Sequence, residues 1–130
     1  MSKKQLMFHI DRKKMHHYTR LVKSKDKNKL FETMKDLFLM AAAYGYKKNK
    51  QTTPTITESP FRWLNLNEDD ITLIQIIAVA SSKDPSVLHS EEEMIKIIER
   101  YADGGIEELI KKIEGPGDKI LNIMELIKSE

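Results

Sequence analysis

Imidazole side chains are the first candidates for chemistry in this sequence, because histidine ligates metals and transfers protons near neutral pH. The chain contains four of them, His9, His16, His17 and His89, and it contains no cysteine. His16 and His17 are adjacent, so on a helix they point about 100° apart and cannot easily share one ion. The spacings His-x₃-His and His-Glu-x-x-His do not occur. We therefore predict no metal site and no cofactor, and we interpret His16 and His17 as part of a basic surface helix.

Hydroxyl and carboxyl groups give no firmer catalytic pattern. No serine lies in a Gly-x-Ser-x-Gly turn, the motif that exposes a serine nucleophile. Two acidic clusters, Asp69-Asp70 and Glu91-Glu92-Glu93, lie at predicted helix N-termini, where capping and the helix dipole account for them. We therefore predict that the protein is not an enzyme. The alternative left open is a small metal-dependent nuclease with a dispersed site, which requires a deep polar pocket that holds carboxylates or His9.

The charged residues are divided unevenly along the chain. Residues 1–30 contain ten Lys/Arg and two acids, whereas residues 61–130 contain eight Lys/Arg and fifteen acids, within a total of +2. Flexible cations spread over a surface are what phosphate contacts need. The predicted nucleic-acid-binding residues are Arg12, Lys13, Lys14, Arg20, Lys23, Lys25, Lys27, Lys47, Lys48 and Arg62.

This interpretation depends on how the folded chain arranges those cations. An acidic protein partner, or a face that is merely solvated, explains a run of lysines equally well, and no recognition-helix signature is present. Binding to a polyanion requires that the folded chain gather these cations on one patch of the surface. If they pair instead with the glutamates of the later helices, no such patch remains. The acidic C-terminal helices are expected to dock a protein.

Length and hydropathy predict a single cytoplasmic domain, 1–130. A chain of 130 residues is close to the commonest domain size. The N-terminus shows no signal-peptide pattern. The longest charge-free stretches, Leu37–Tyr46 and Ile71–Ser82, are shorter than the roughly 20 residues that a membrane-spanning helix needs.

Hydrophobic periodicity predicts an all-α fold, a compact bundle of five to six helices around a central buried helix at about 29–44. Apolar residues recur there at helical spacing, and Gly45 follows as the expected helix end. Residues 1–10 alternate in a way that allows a short N-terminal strand. Residues 47–66 contain two prolines and are predicted to form a mobile loop; the alternative is that Phe61 and Trp63 pin this loop to the core.

The other helices are predicted from their caps and breaks. Asp11 opens a basic helix that runs to Val22, and Asn67 opens a helix over Ile71–Ser81, although its β-branched residues would also suit a buried strand. A capping box at Ser90 opens a helix to about residue 102, which Asp103-Gly104-Gly105 is expected to end. Two further helices are predicted at about 106–113 and from Asp118 onward, separated by Gly115-Pro116-Gly117.

Three stretches together resemble a known family: FETMKDLFLMAAAYGYKK at 31–48, SPFRW at 59–63 and IIERYADGGIEEL at 97–109. In order and spacing they are similar to the DNA phosphorothioation (dnd) system-associated protein 4 family, over about residues 8–125. The resemblance implies an accessory member of a bacterial gene cluster that replaces a backbone phosphate oxygen of DNA by sulfur, or that restricts DNA lacking this mark in phage defence. It supplies no catalytic or binding residue.

Together these observations predict a non-catalytic accessory subunit of such a modification and restriction system. Its basic N-terminal region would contact DNA phosphates or a partner protein, and its partners would be DNA and other proteins of a dnd-type gene cluster. An adaptor without nucleic-acid binding is the alternative that differs least from this prediction.

Overall fold

The computed structural model describes residues 6–22 and 33–114. The described elements are a strand β1 (Met7–Asp11), a helix α1 (Met15–Val22) that follows one 3₁₀ turn, a helix α2 (Met34–Lys47), a strand β2 (Thr57–Arg62), a helix α3 (Glu68–Ser82) and a helix α4 (Glu91–Ile113). Short 3₁₀ turns at Arg12–Lys14, Trp63–Asn65 and Pro85–His89 connect them.

The predicted all-α bundle of five to six helices is wrong, because within the described residues four α-helices accompany a two-stranded antiparallel sheet. The strand that the alternation at the N-terminus allowed is present as β1, and it pairs Phe8 with Phe61 and Ile10 with Glu58 of β2. The register shifts between these two pairs, opposite Ser59 and Pro60. Proline lacks the N–H that a regular ladder uses, so Pro60 favours a loop in the sequence, but proline is tolerated at a bulge or an edge such as this one.

Three glycines that were predicted to end helices lie inside helices instead. Gly45 lies inside α2, and Gly104 and Gly105 lie inside α4, which continues unbroken from Glu91 to Ile113. A Cβ on Gly45 would lie 2.1 Å from the carbonyl oxygen of Tyr101, and one on Gly105 would lie 2.3 Å from that of Ala41. Glycine is therefore needed here for the close approach of two antiparallel helices and not as a helix end. The helices predicted at 90–102 and 106–113 are one helix.

The predicted N-caps at Asp11, Asn67 and Ser90 are confirmed, but Ser90 lacks the reciprocal contact of the predicted capping box, since its own N–H donates to Val87. The side chain of Asp11 accepts from the N–H of Lys13, Asn67 and Asp70 cap each other at the start of α3, and Ser90 accepts from the N–H of Glu93. The strand alternative for 71–81 is wrong. The central helix begins after its cap, Thr33, and ends at Lys47, later at both ends than predicted. The predicted last helix, from Asp118, lies outside the described residues.

The core gathers at the crossing of α2 and α4, and the sheet covers one side of it. Phe8 stacks on Phe61 at 4.9 Å between ring centroids and meets Phe38 of α2 edge-on at 5.5 Å. Trp63 lies parallel to Phe8 at 6.2 Å, so the end of the 47–66 segment is attached to the core. The predicted mobility of the rest of that segment stays a prediction. In the described ranges, no helix combines the length and the apolarity needed to cross a bilayer.

Candidate functional site

Three of the predicted N-terminal cations lie against carboxylates of later elements. Arg20 of α1 pairs with Glu114, directly after α4, at 2.7 Å between Nη2 and Oε1. Arg12 lies 3.5 Å from Glu58 of β2. Lys14 pairs with Asp103 of α4 at 2.9 Å. The sheet and α1 therefore bring part of the basic N-terminus onto acidic positions elsewhere in the fold.

The Lys14 pair is part of the protein interior. The Asp103 side chain is 6% exposed and that of Lys14 is 20% exposed. The ammonium of Lys14 also donates to the backbone oxygen of Asp103 at 2.8 Å, and the hydroxyl of Thr52 donates to the same carboxylate at 2.5 Å. Burial, with the neighbouring charge of Asp103, raises the pKa of the Tyr18 phenol. Because Lys14 and Thr52 both donate to Asp103, this carboxylate connects the N-terminal turn, the 47–66 segment and α4.

The other predicted cations lie on several elements. Lys13 is exposed, and within the described part of the chain no carboxylate lies at ion-pair distance from it. Lys48 follows α2, with its ammonium 5.8 Å from the ring centroid of Tyr44. Lys47 ends α2 and Arg62 ends β2, and both make interactions within the protein. Lys23, Lys25 and Lys27 lie outside the described residues. The structure thus places Arg12, Lys13 and Lys14 on one turn and Lys47 and Lys48 at the end of α2.

A polar cleft of about 440 Å³ lies beside the Lys14 pair. Lys50 and Lys111 line it together with Glu107 and Glu108. The ammonium of Lys50 hydrogen-bonds the carboxylate of Glu108, which lowers the pKa of that carboxyl. Three cations, Lys14, Lys50 and Lys111, and three carboxylates line this cleft, so its lining has no excess of positive charge to attract a polyanion.

A second cleft, of about 420 Å³, separates the beginning of β1 from the first half of α4, and we call it the β1–α4 cleft. Its lining residues are Leu6, Met7, His9, Glu92, Ile95, Lys96 and Glu99. Glu92, Ile95, Lys96 and Glu99 lie three or four residues apart and so share one face of the helix. Glu99 lies at the buried end of this face and Glu92 at the exposed end.

His9 is held in the β1–α4 cleft by Glu99. One carboxylate oxygen, Oε2, lies 2.5 Å from the backbone nitrogen of His9 and 2.6 Å from its Nδ1. The carboxylate is 10% exposed and the imidazole 43% exposed. Burial raises the pKa of Glu99, and the hydrogen bonds from His9 oppose this. When Glu99 is ionised it can only accept, so the proton of this contact lies on Nδ1, and in the neutral form of the imidazole Nε2 is then an acceptor.

The lining of this cleft includes side chains that the nuclease alternative named, His9 and two carboxylates. None of its residues carries a hydroxyl or a thiol, and its carboxylates are Glu92 and Glu99. Among the described residues, no group of three His, Asp or Glu side chains is placed to hold a metal ion. An imidazole whose Nδ1 is held by a carboxylate can bind a ligand through a hydrogen bond at its other ring nitrogen.

Sequence reasoning identified neither Glu99 nor Asp103 as a buried acid. Both lie four residues apart in the most apolar part of α4, between Ile95 and Ile110, and both are 8% exposed. Acidic residues at core spacing are rarely buried unless they are paired, so this spacing was the available signal for partners in another element. Asp103 was assigned instead to the expected helix end.

Comparison with known proteins supplies a family. The family model for DNA sulphur modification system-associated protein 4 matches residues 8–130. Neither a curated protein nor a solved structure matches the chain. The resemblance carried by the three sequence stretches is thereby confirmed.

Proposed function

Since the chain belongs to the family of DNA sulphur modification system-associated protein 4, we propose that it is a non-catalytic accessory subunit that binds another protein of that system. The family description supports the association with DNA sulphur modification. The observation that favours a protein partner over DNA is the pairing of Arg12, Lys14 and Arg20 with carboxylates of the same chain. A cation that is already paired gains less from a phosphate, because its own carboxylate must be displaced first.

The test measures the two kinds of binding side by side. The purified chain is titrated with a fluorescent 20-base-pair duplex, with and without phosphorothioate linkages, between 50 and 300 mM salt. It is then mixed with each purified protein of the same gene cluster and examined by size-exclusion chromatography with light scattering. A stoichiometric protein complex, with weak duplex binding, supports the proposal. Duplex binding with a log–log salt slope steeper than about −3, and no protein complex, contradicts it.

Direct contact with DNA phosphates is the second candidate, and exposed Lys13 favours it. Charge reversal at Lys14 or Arg20 would break an ion pair, so Lys13→Glu is the cleaner variant. It should weaken duplex binding and flatten the salt slope by about one unit. Lys112→Glu, at an exposed position near the end of α4, makes the same change of charge outside the N-terminal region. Equal effects of the two variants would show that only net charge matters.

A further inference from the structure

The β1–α4 cleft is rich in hydrogen-bond acceptors and has a negative balance of charge. With His9 neutral, its lining carries the carboxylates of Glu92 and Glu99 and the single ammonium of Lys96. Glu99 uses Oε2 for His9, and no described group donates to its Oε1. With Nδ1 engaged, Nε2 of His9 is a further acceptor. A ligand that brings several donors and a positive charge is the chemical complement of this set.

Apolar side chains line the cleft together with the two carboxylates. They are those of Leu6, Met7 and Ile95. Glu92 and Glu99 are seven residues apart on one helix, which is about 10 Å along its axis. A long side chain with an apolar stem and a charged end can therefore lie on the apolar surface while its end reaches the buried acceptors.

We propose that the β1–α4 cleft binds an arginine side chain of a protein partner. A guanidinium carries five donors in a fixed plane, which suits a carboxylate oxygen beside an imidazole nitrogen, whereas an ammonium is a compact point charge. An anion would face Glu92 and Glu99 at close range. This inference rests on the proposed function, because it assumes a protein partner and specifies one of that partner's side chains. Binding of arginine to the cleft can nevertheless be tested without the partner.

Lys96 is the residue of the cleft that opposes such a ligand. Its ammonium lies 3.9 Å from Glu93, and both side chains are more than half exposed, so this pair holds it weakly. Lys96 can therefore turn away when a cation enters. Removing its charge should strengthen binding, a direction that damage to the fold would not produce.

The test uses Nα-acetyl-L-arginine N-methylamide as the probe and amide NMR spectra of the full chain. Saturable shifts are expected at His9, Lys96 and Glu99, with an affinity about threefold or more above that of the lysine analogue. Glu92→Lys should weaken binding about threefold to tenfold, as expected for reversing one exposed charge, and Lys96→Met should strengthen it. Glu91→Lys is the matched control, because Glu91 is exposed, adjacent to Glu92 and outside the cleft lining.

Each other outcome overturns the inference. Absence of saturable shifts at these amides would show that the cleft does not bind arginine. Shifts of the same amides by inorganic phosphate would assign the cleft to anions, and equal weakening by Glu91→Lys and Glu92→Lys would reduce the effect to net charge. Failure of this test leaves the protein-partner proposal standing, because that proposal is decided by complex formation and by the salt titration.

Discussion

Gly105→Ala should destabilise the protein even though alanine favours helices. The new Cβ would lie 2.3 Å from the carbonyl oxygen of Ala41 and 2.7 Å from the nitrogen of Gly45, both backbone atoms of α2. Restoring ordinary contact requires the two helices to separate by about 1 Å, in an interior that packs closely. We expect a steric cost of about 3 kcal/mol, the upper end for overpacking. The gain in helix propensity is about 1 kcal/mol, so the free energy of unfolding should fall by about 2 kcal/mol.

Urea unfolding followed by circular dichroism measures this change. The midpoint should decrease with an unchanged m-value, which would show that stability, and not compactness, has been altered. Lys112→Ala serves as the control, because it raises helix propensity at an exposed position of the same helix and should shift the midpoint little. If Gly105→Ala is as stable as the parent protein, α2 and α4 do not cross at these glycines and the account of the missing helix break is refuted.

Two further predictions concern Asp103 and His17. Asp103→Asn leaves Lys14 without its charge partner, so we expect the free energy of unfolding in the urea assay to fall by about 3 kcal/mol. Lys14→Met combined with Asp103→Leu should recover most of this loss. An Asp103→Asn variant as stable as the parent protein would contradict the pairing. Burial, with His16 and Arg20 adding to it and Glu107 and Glu114 opposing it, lowers the pKa of His17 below 6.5. Stability should therefore be full above pH 6.5 and decline as the pH falls through the lowered value, because the unfolded chain binds the proton more readily. In urea midpoints measured between pH 7.5 and 5, His17→Gln should reduce this decline, whereas His16→Gln should retain it. Equal dependence of the midpoint on pH in the two variants would show that His17 is not responsible.

Local signals predicted the beginnings of helices well. A cap is a contact between residues two or three positions apart, so Asp11, Asn67 and Ser90 could be recognised without knowledge of the rest of the fold. The stretch Ile71–Ser81 was ambiguous between helix and strand by composition, and the cap at Asn67 correctly favoured the helix.

The errors concern residues whose role depends on a distant neighbour. Gly45 and Gly105 look like helix ends in isolation and become contact points only when α2 meets α4. Pro60 looks like a loop residue and becomes tolerable in a strand only because the pairing with β1 shifts register beside it. Nothing in the sequence around Glu99 marks it as a special residue, because its partner His9 lies ninety residues earlier in the chain. No local pattern contains these partners.

The same dependence on distant neighbours changes the meaning of the charge division. A basic front and an acidic rear would produce a strong field only if they occupied different parts of the surface. Instead β1 and α1 pack on α4, so Lys14 meets Asp103 and Arg20 meets Glu114. These contacts convert part of the sequence asymmetry into intramolecular ion pairs. A phosphate-binding surface on this chain would therefore have to be built from cations that α4 does not neutralise. For this reason Lys13→Glu is the variant that separates DNA contact from protein binding. Charge reversal at Lys14 would not separate them, because it breaks an ion pair.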